Sequence, residues 1–135
     1  MPKFSKLSKE RLSTCDVRLQ LIMNAAIRIF DFSVLEGHRG EADQNAAFER
    51  GVSKARFPDS NHNASPSLAV DIAPYPIDRE DTERFVLLAG IVRAVAFQYG
   101  LEDQIRWGGD WDRDDRMSDE SFRDYAHFEV TTKEN

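Results

Sequence analysis

A chain of 135 residues with a net charge of −6 has room for one domain, and a domain of this size buries about 68% of its unfolded surface, enough for a core without staples. Hydrophobic residues make up 41% and charged residues 31%, an ordinary globular balance, and no apolar run approaches the ~20 residues of a membrane span. The negative charge excludes a general nucleic-acid binder and a polybasic membrane or wall anchor, both of which need clustered Lys and Arg.

Residues 1–12 read as a short, weakly structured lead-in with one helical turn around Ser8–Leu12. Met1-Pro2-Lys3-Phe4-Ser5-Lys6 is basic but lacks the apolar stretch of a signal peptide, so the protein is expected to stay in the cytoplasm where it is made. A helix follows, capped by Thr14 or Asp16, with Val17, Leu19, Ile22, Met23, Ala26, Ile27 and Phe30 forming an apolar face at helical spacing. Residues 32–36 read as a strand ending at Gly37, and a second helix is expected over 41–50, stopped by Gly51. Residues 52–67 form a loop rich in Ser, Asn and Pro; loops of that length are uncommon and often functional.

Residues 68–73 read as a short buried strand ended by Pro74-Tyr75-Pro76. Asp78 or Asp81 starts a third helix whose face is Phe85, Leu88, Ile91, Val92, Val95, Ala96 and Tyr99, with Gly100 at its end. Ile105-Arg106-Trp107 reads as a strand, residues 110–119 as an acidic loop, residues 127–130 as a final strand and residues 131–135 as a tail. The order α-β-α-β-α-β-β predicts one α+β domain over 1–135, a small, mostly antiparallel sheet with helices packed on it. Cys15 is the only cysteine, which rules out an internal disulfide and a cysteine-based metal site; it reads as a buried, inert thiol.

Chemistry concentrates in two places. Ser60-Asn61-His62 leads, nine residues after the His, to Asp71, a lone acid in an apolar strand. A buried carboxylate is costly to desolvate and needs a partner or a metal. His127 opens the last strand, with Asp124 three residues before it. Two imidazoles and a carboxylate make three protein ligands, the count of a catalytic zinc with one open position. Asp124 is then placed as the base for the attacking water.

These residues, Ser60-x-His62 with Ala69-Val70-Asp71 and Asp124-x-x-His127, resemble the two motifs of the zinc D-alanyl-D-alanine carboxypeptidase family. That family includes the vancomycin-resistance D,D-dipeptidases and the L-alanyl-D-glutamate endopeptidases of bacteriophage lysis, and its fold is shared with lysostaphin-type peptidases and hedgehog domains. The resemblance implies Zn2+ held by His62, Asp71 and His127, with Asp124 as catalytic base. Gly37-His38-Arg39-Gly40 followed by Gln44 resembles the family's substrate-contacting segment, and Trp107-Gly108-Gly109-Asp110-Trp111 its approach to the second motif. Arg39, with Gln44, Ser60 and His38, is thereby expected on the substrate side; an Arg also suits a stem-peptide carboxylate, which it can grip with two parallel hydrogen bonds.

Two departures point to the phage branch. Eight residues, Asn63 through Val70, separate His62 from Asp71, where six are usual, and the base is Asp where the dipeptidases carry Glu. The implied protein is a monomeric phage endolysin that acts on peptidoglycan stem peptides, with no nucleic-acid partner and no membrane insertion. It would wait in the host cytoplasm until lysis. A D-alanyl-D-alanine carboxypeptidase or dipeptidase and a non-catalytic zinc-containing binding module are the rival readings.

Glu129 lies on the same side of its strand as His127 and reads either as a partner to a ligand His or as a plain salt-bridge residue. The acidic loop lacks the full spacing of an EF-hand and reads as a solvated run rather than a calcium site.

Overall fold

The structure is a computed structural model that describes residues 1–131. Among these residues stand helices α1 (Lys6–Leu12), α2 (Val17–Ala26), α3 (Glu41–Glu49) and α4 (Thr82–Gln98), and strands β1 (Phe32–Glu36), β2 (Ala69–Pro74), β3 (Ile105–Trp107) and β4 (His127–Val130). The strands form one antiparallel sheet in the order β1-β2-β4-β3. The expected tail lies outside the described residues apart from Thr131.

Period-2 alternation divides the sheet. Val34, Val70, Ile72, Phe128, Val130, Ile105 and Trp107 face a core completed by Leu19, Ile22, Met23 and Ala26 of α2 and Leu88, Val92, Val95 and Ala96 of α4. The opposite face of β4 and β3 carries His127, Glu129 and Arg106. The core helices follow the predicted stripes except at their ends: Val17 is 73% exposed at the first position of α2, and Tyr99 is exposed beyond α4. Asp16 and Asp81 are the caps, accepting from the Arg18 and Arg84 amides. The regular part of α2 stops at Ala26 instead of running to Phe30, because the chain tightens as the Arg28 and Ile29 amides donate to Ala25 and Ala26. Pro74, expected just past its strand, is the last residue of β2.

The lead-in is where the structure corrects the sequence reading most. Residues 6–12 are a full helix, capped by Ser5, that lies along the outer edge of β1. The Val34 amide donates to the buried Ser8 hydroxyl at 3.0 Å, and Arg11 Nη1 donates to the Val34 carbonyl at 3.1 Å. Two helix side chains thus do for the sheet edge what another strand would do. The pattern was not visible in the sequence because its apolar content is too small to mark a face. Cys15 is buried as expected, and burial pushes its thiol up to about 11.

Ser8→Ala leaves the buried Val34 amide without an acceptor. It is expected to cost about 1–3 kcal/mol, measured as a lower urea midpoint with unchanged slope. An unchanged midpoint would mean that water replaces the hydroxyl.

Candidate active site

Strand register brings the site together. Asp71 in β2 stands directly opposite His127 in β4. On its other side the register shifts by one between Val34 and Glu36, so Glu36 faces Asp71. Arg106 of β3 stands opposite Glu129. The result is a chain of polar groups across one sheet face. Arg106 Nη2 donates to Glu129 Oε2 at 2.6 Å. His127 Nε2 meets Glu129 Oε1 at 2.7 Å, and His127 Nδ1 lies 3.2 Å from Asp71 Oδ1. Arg39 Nη2 is 3.7 Å from Asp71 Oδ2, and Arg39 Nε donates to Glu36.

His62 enters from the long loop, on a 3-10 turn at Asn61–Asn63. Ser60 and Asn63 lock that turn as a capping box, the Ser60 hydroxyl accepting from the His62 amide and the Asn63 side chain accepting from the Ser60 amide. The His62 ring is buried, and its Nδ1 donates to the Gly37 carbonyl at 2.8 Å. A carbonyl only accepts, so Nδ1 holds the proton and Nε2 presents a lone pair. That Nε2 has no hydrogen-bond partner and lies 3.4 Å from Asp71 Oδ1. Gly37 must be glycine here: a β-carbon would lie 2.3 Å from the Thr14 hydroxyl and 2.4 Å from the Arg11 carbonyl. Gly108 is similarly confined, since a β-carbon would stand 2.2 Å from the Asp124 carbonyl. The Asp124 amide donates to Gly108, and the His127 amide to Asp124, which fixes the bend between base candidate and strand.

His62, Asp71 and His127 therefore offer three ligand atoms within 4.8 Å of one another, a group able to hold a metal ion. Each imidazole has its far nitrogen engaged, one by Gly37 and one by Glu129, as metal-binding histidines commonly do. The Asp124 carboxyl shares the cavity with Asp71 and His127. Burial, reinforced by the Asp71 charge, raises it above the usual carboxylate range.

The other expected residues divide. Arg39 is mostly buried and reaches Asp71 as described. Gln44, expected on the substrate side, is fully buried behind it. Its Oε1 accepts from Arg39 Nη1 at 2.9 Å and its Nε2 donates to Ser53 and Ala55, so it positions Arg39 and has no free group for a ligand. His38 is exposed on the wall of a groove of about 1000 Å³, and Ser60 lines a second cleft of about 560 Å³. The two clefts meet at Arg39, Val52, Asp71, Phe122 and Asp124. Trp111 covers the site, tilted on His127 at 5.5 Å and stacked on Phe122 at 6.3 Å. Glu36 and Arg106 were missed by sequence reasoning. Glu36 carries no local signal because only the register shift aims it at Asp71, while Arg106 was readable only once Glu129 was known to be its cross-strand partner.

The fold that carries this arrangement is shared with a solved peptidoglycan peptidase. The crystal structure of the Serratia marcescens L-Ala D-Glu endopeptidase ChiX superposes with a TM-score of 0.74 at 26% identity, over 96% of this chain and 90% of that one. The phage L-alanyl-D-glutamate peptidase family model matches residues 1–131, and this chain belongs to that family.

Without metal, burial opposes the His127 charge, but the hydrogen bonds it donates to Asp71 and Glu129 outweigh it and push the imidazole up from its ordinary 6.5 to about 10. Burial likewise opposes the Glu129 charge, and contacts with His127 and Arg106 bring it down from 4.5 to about 2. The His127 contribution to stability is full below 6.5 and is lost as pH rises toward 10; that of Glu129 is full above 4.5 and is lost as pH falls toward 2. The metal-free protein is therefore expected to melt highest between pH 4.5 and 6.5 and to lose stability on both sides. Thermal melts across pH check this, and Glu129→Gln should flatten the acid side; an unaltered profile in that variant would exclude the pair as its source.

Proposed function

We propose that this chain is a zinc-dependent endopeptidase that cuts the L-alanyl–D-glutamate bond of peptidoglycan stem peptides, and that it serves as a monomeric phage endolysin held in the host cytoplasm until lysis. The observation that carries the zinc assignment is the buried, unpartnered lone pair of His62 Nε2, converging with His127 Nδ1 on Asp71 Oδ1. Ligands bound to a tetrahedral zinc at about 2.0–2.1 Å stand about 3.3–3.4 Å apart. The separations here are 3.4 and 3.2 Å. Two imidazole nitrogens and one carboxylate oxygen are a donor set that suits catalytic zinc.

His62, Asp71 and His127 would hold the zinc, which would supply Lewis-acid chemistry to a water and to the scissile carbonyl. The protein's own residues do the rest. Asp124, its proton affinity raised by burial, takes the proton from the attacking water and passes it to the leaving amine. Gly37 and Glu129 hold the two imidazoles in their tautomers. Arg39, aimed by Gln44 and Glu36, orients a substrate carboxylate. His38 in the larger cleft and Ser60 in the smaller one are the weaker substrate contacts.

The larger cleft opens from the smaller one at Asp71 and Asp124, and that room beyond the candidate metal-binding group favours cutting within a peptide over trimming its end, because an endopeptidase must seat chain on either side of the bond. The family's activity supports the same bond. A non-catalytic zinc module would have no need of Asp124 in the cavity.

Asp124→Ala is expected to keep one zinc per chain and lose about 10²–10⁴-fold in hydrolysis; elemental analysis and a turbidity assay measure the two separately, and full activity would remove Asp124 from the mechanism. His62→Ala should lose the metal. Digestion of purified muropeptides, with products identified by mass spectrometry, decides the bond: new D-glutamate N-termini are expected, whereas release of free D-alanine would establish the carboxypeptidase.

A further inference from the structure

The larger cleft carries charge that the chemistry at Asp71 does not use. Five arginines line it, against three acids once Asp71 and Asp124 are set aside with the candidate metal-binding group. Two of the arginines are committed: Arg11 donates to the edge of β1, and Arg39 is held by Glu36 and Gln44. The other three are not. Arg50 follows α3, Arg79 lies between β2 and α4, and Arg123 precedes Asp124, so three separate segments each bring one exposed arginine to the same groove. None of the three forms an ion pair with a described residue. Arg123 has a 3.3 Å hydrogen bond to the Tyr125 hydroxyl. Of the acids on this groove, Glu36 is bound to Arg39, while Glu10 and Asp43 are exposed and unpaired, so the arginines leave the wall with a positive excess.

The smaller cleft differs. With Asp71 and Asp124 again set aside, its three cations face three acids. Arg39 is the cation it shares with the larger groove, Arg106 is occupied by Glu129, and Lys54 lies over the Phe122 ring at 4.6 Å. Asp59 and Glu120 form no ion pair with a described residue. This cleft therefore has no cationic excess to offer an anion.

The substrate of the proposed reaction is asymmetric in the same sense. L-Alanine has no charged side chain, and its carboxyl group forms the bond to be cut. D-Glutamate has two carboxyl groups, of which the onward peptide bond uses one, and the peptide ends in a further carboxylate. The negative charge of the stem lies on the D-glutamate side.

We infer that the stem peptide binds in one direction, its D-glutamate side in the larger groove and its L-alanine side in the smaller cleft, with Arg50, Arg79 and Arg123 determining specificity by meeting the carboxylates beyond the one held at Arg39. The assignment rests on the peptidase reading. Arg39 stands where the clefts meet, which suits the carboxylate nearest the bond. The three outer arginines act on charges that do not change during hydrolysis. Their effect therefore falls on KM and leaves kcat nearly alone.

Steady-state kinetics of the zinc-loaded protein on two muropeptides tests this. The two differ only in ending in a carboxylate or in a carboxamide. In the parent, the carboxamide is expected to raise KM about three- to tenfold, the range of a few solvent-exposed charge pairs, and added salt should narrow the gap. In the variant Arg50→Gln, Arg79→Gln, Arg123→Gln, the carboxylate substrate should rise to the KM of the carboxamide. Lysine at the same three positions should restore the discrimination. Arg28→Glu, exposed and outside both clefts, should retain it in full. Zinc content and circular dichroism confirm that the variants are folded. Equal KM for the two substrates in the parent, or discrimination kept in the glutamine variant, would overturn the role of the arginines.

Product inhibition reads the direction. The D-glutamyl product should inhibit the glutamine variant severalfold less than the parent, and the N-acyl-L-alanine product should inhibit both equally. The opposite pattern would reverse the direction and overturn the inference. Cleavage of neither muropeptide by the parent would sink the peptidase reading itself, whereas cleavage with equal KM sinks the subsite assignment alone.

Discussion

Asp71 occupies the middle of the sheet with Glu36 on one side and His127 on the other, and its carboxylate is largely withdrawn from water. A charge in that position is tolerated only when positive or polarisable groups surround it. His62, His127 and Arg39 all approach it, from a loop, from a neighbouring strand and from the turn after β1. Each of those groups is held in turn: His62 by the Gly37 carbonyl, His127 by Glu129, Arg39 by Gln44 and Glu36. Most of the polar architecture beneath the cleft follows from satisfying one buried carboxylate.

The same requirement explains why the site is rigid. Glu129 is anchored by Arg106, so the line from β3 to β1 alternates in sign across four strands. The ligand nitrogens are presented by a strand and by a capped 3-10 turn, not by free loop. Asp124 is tied at its backbone to Gly108 and His127. In the proposed mechanism a base held this way would keep its distance from the reacting atoms without reorganisation during turnover.

Opposite the polar face, the fold is ordinary in its energetics. Apolar residues of α2 and α4 cover one side of the sheet, and its outer edge at β1 is closed by Ser8 and Arg11 of α1. Core stripes accept many apolar sequences at constant volume, whereas the ligand atoms and the two confined glycines do not.

Read alone, the sequence determined the residue types of the candidate metal-binding group, the spacing of Asp124 from His127, the stripes of α2 and α4, and all four strands. Those are local properties: periodicity, caps and motif spacing act over a few residues. It did not determine that residues 6–12 form a sheet-edge helix, that Gln44 is buried behind Arg39, or that Glu36 and Arg106 belong to the polar line. It also left Glu129 ambiguous. These depend on strand register and on the one-residue shift between Val34 and Glu36. The contacts in question join residues far apart in the chain, and only packing of the whole sheet sets which side chains meet, because a slip of one residue would turn each of them to the other face.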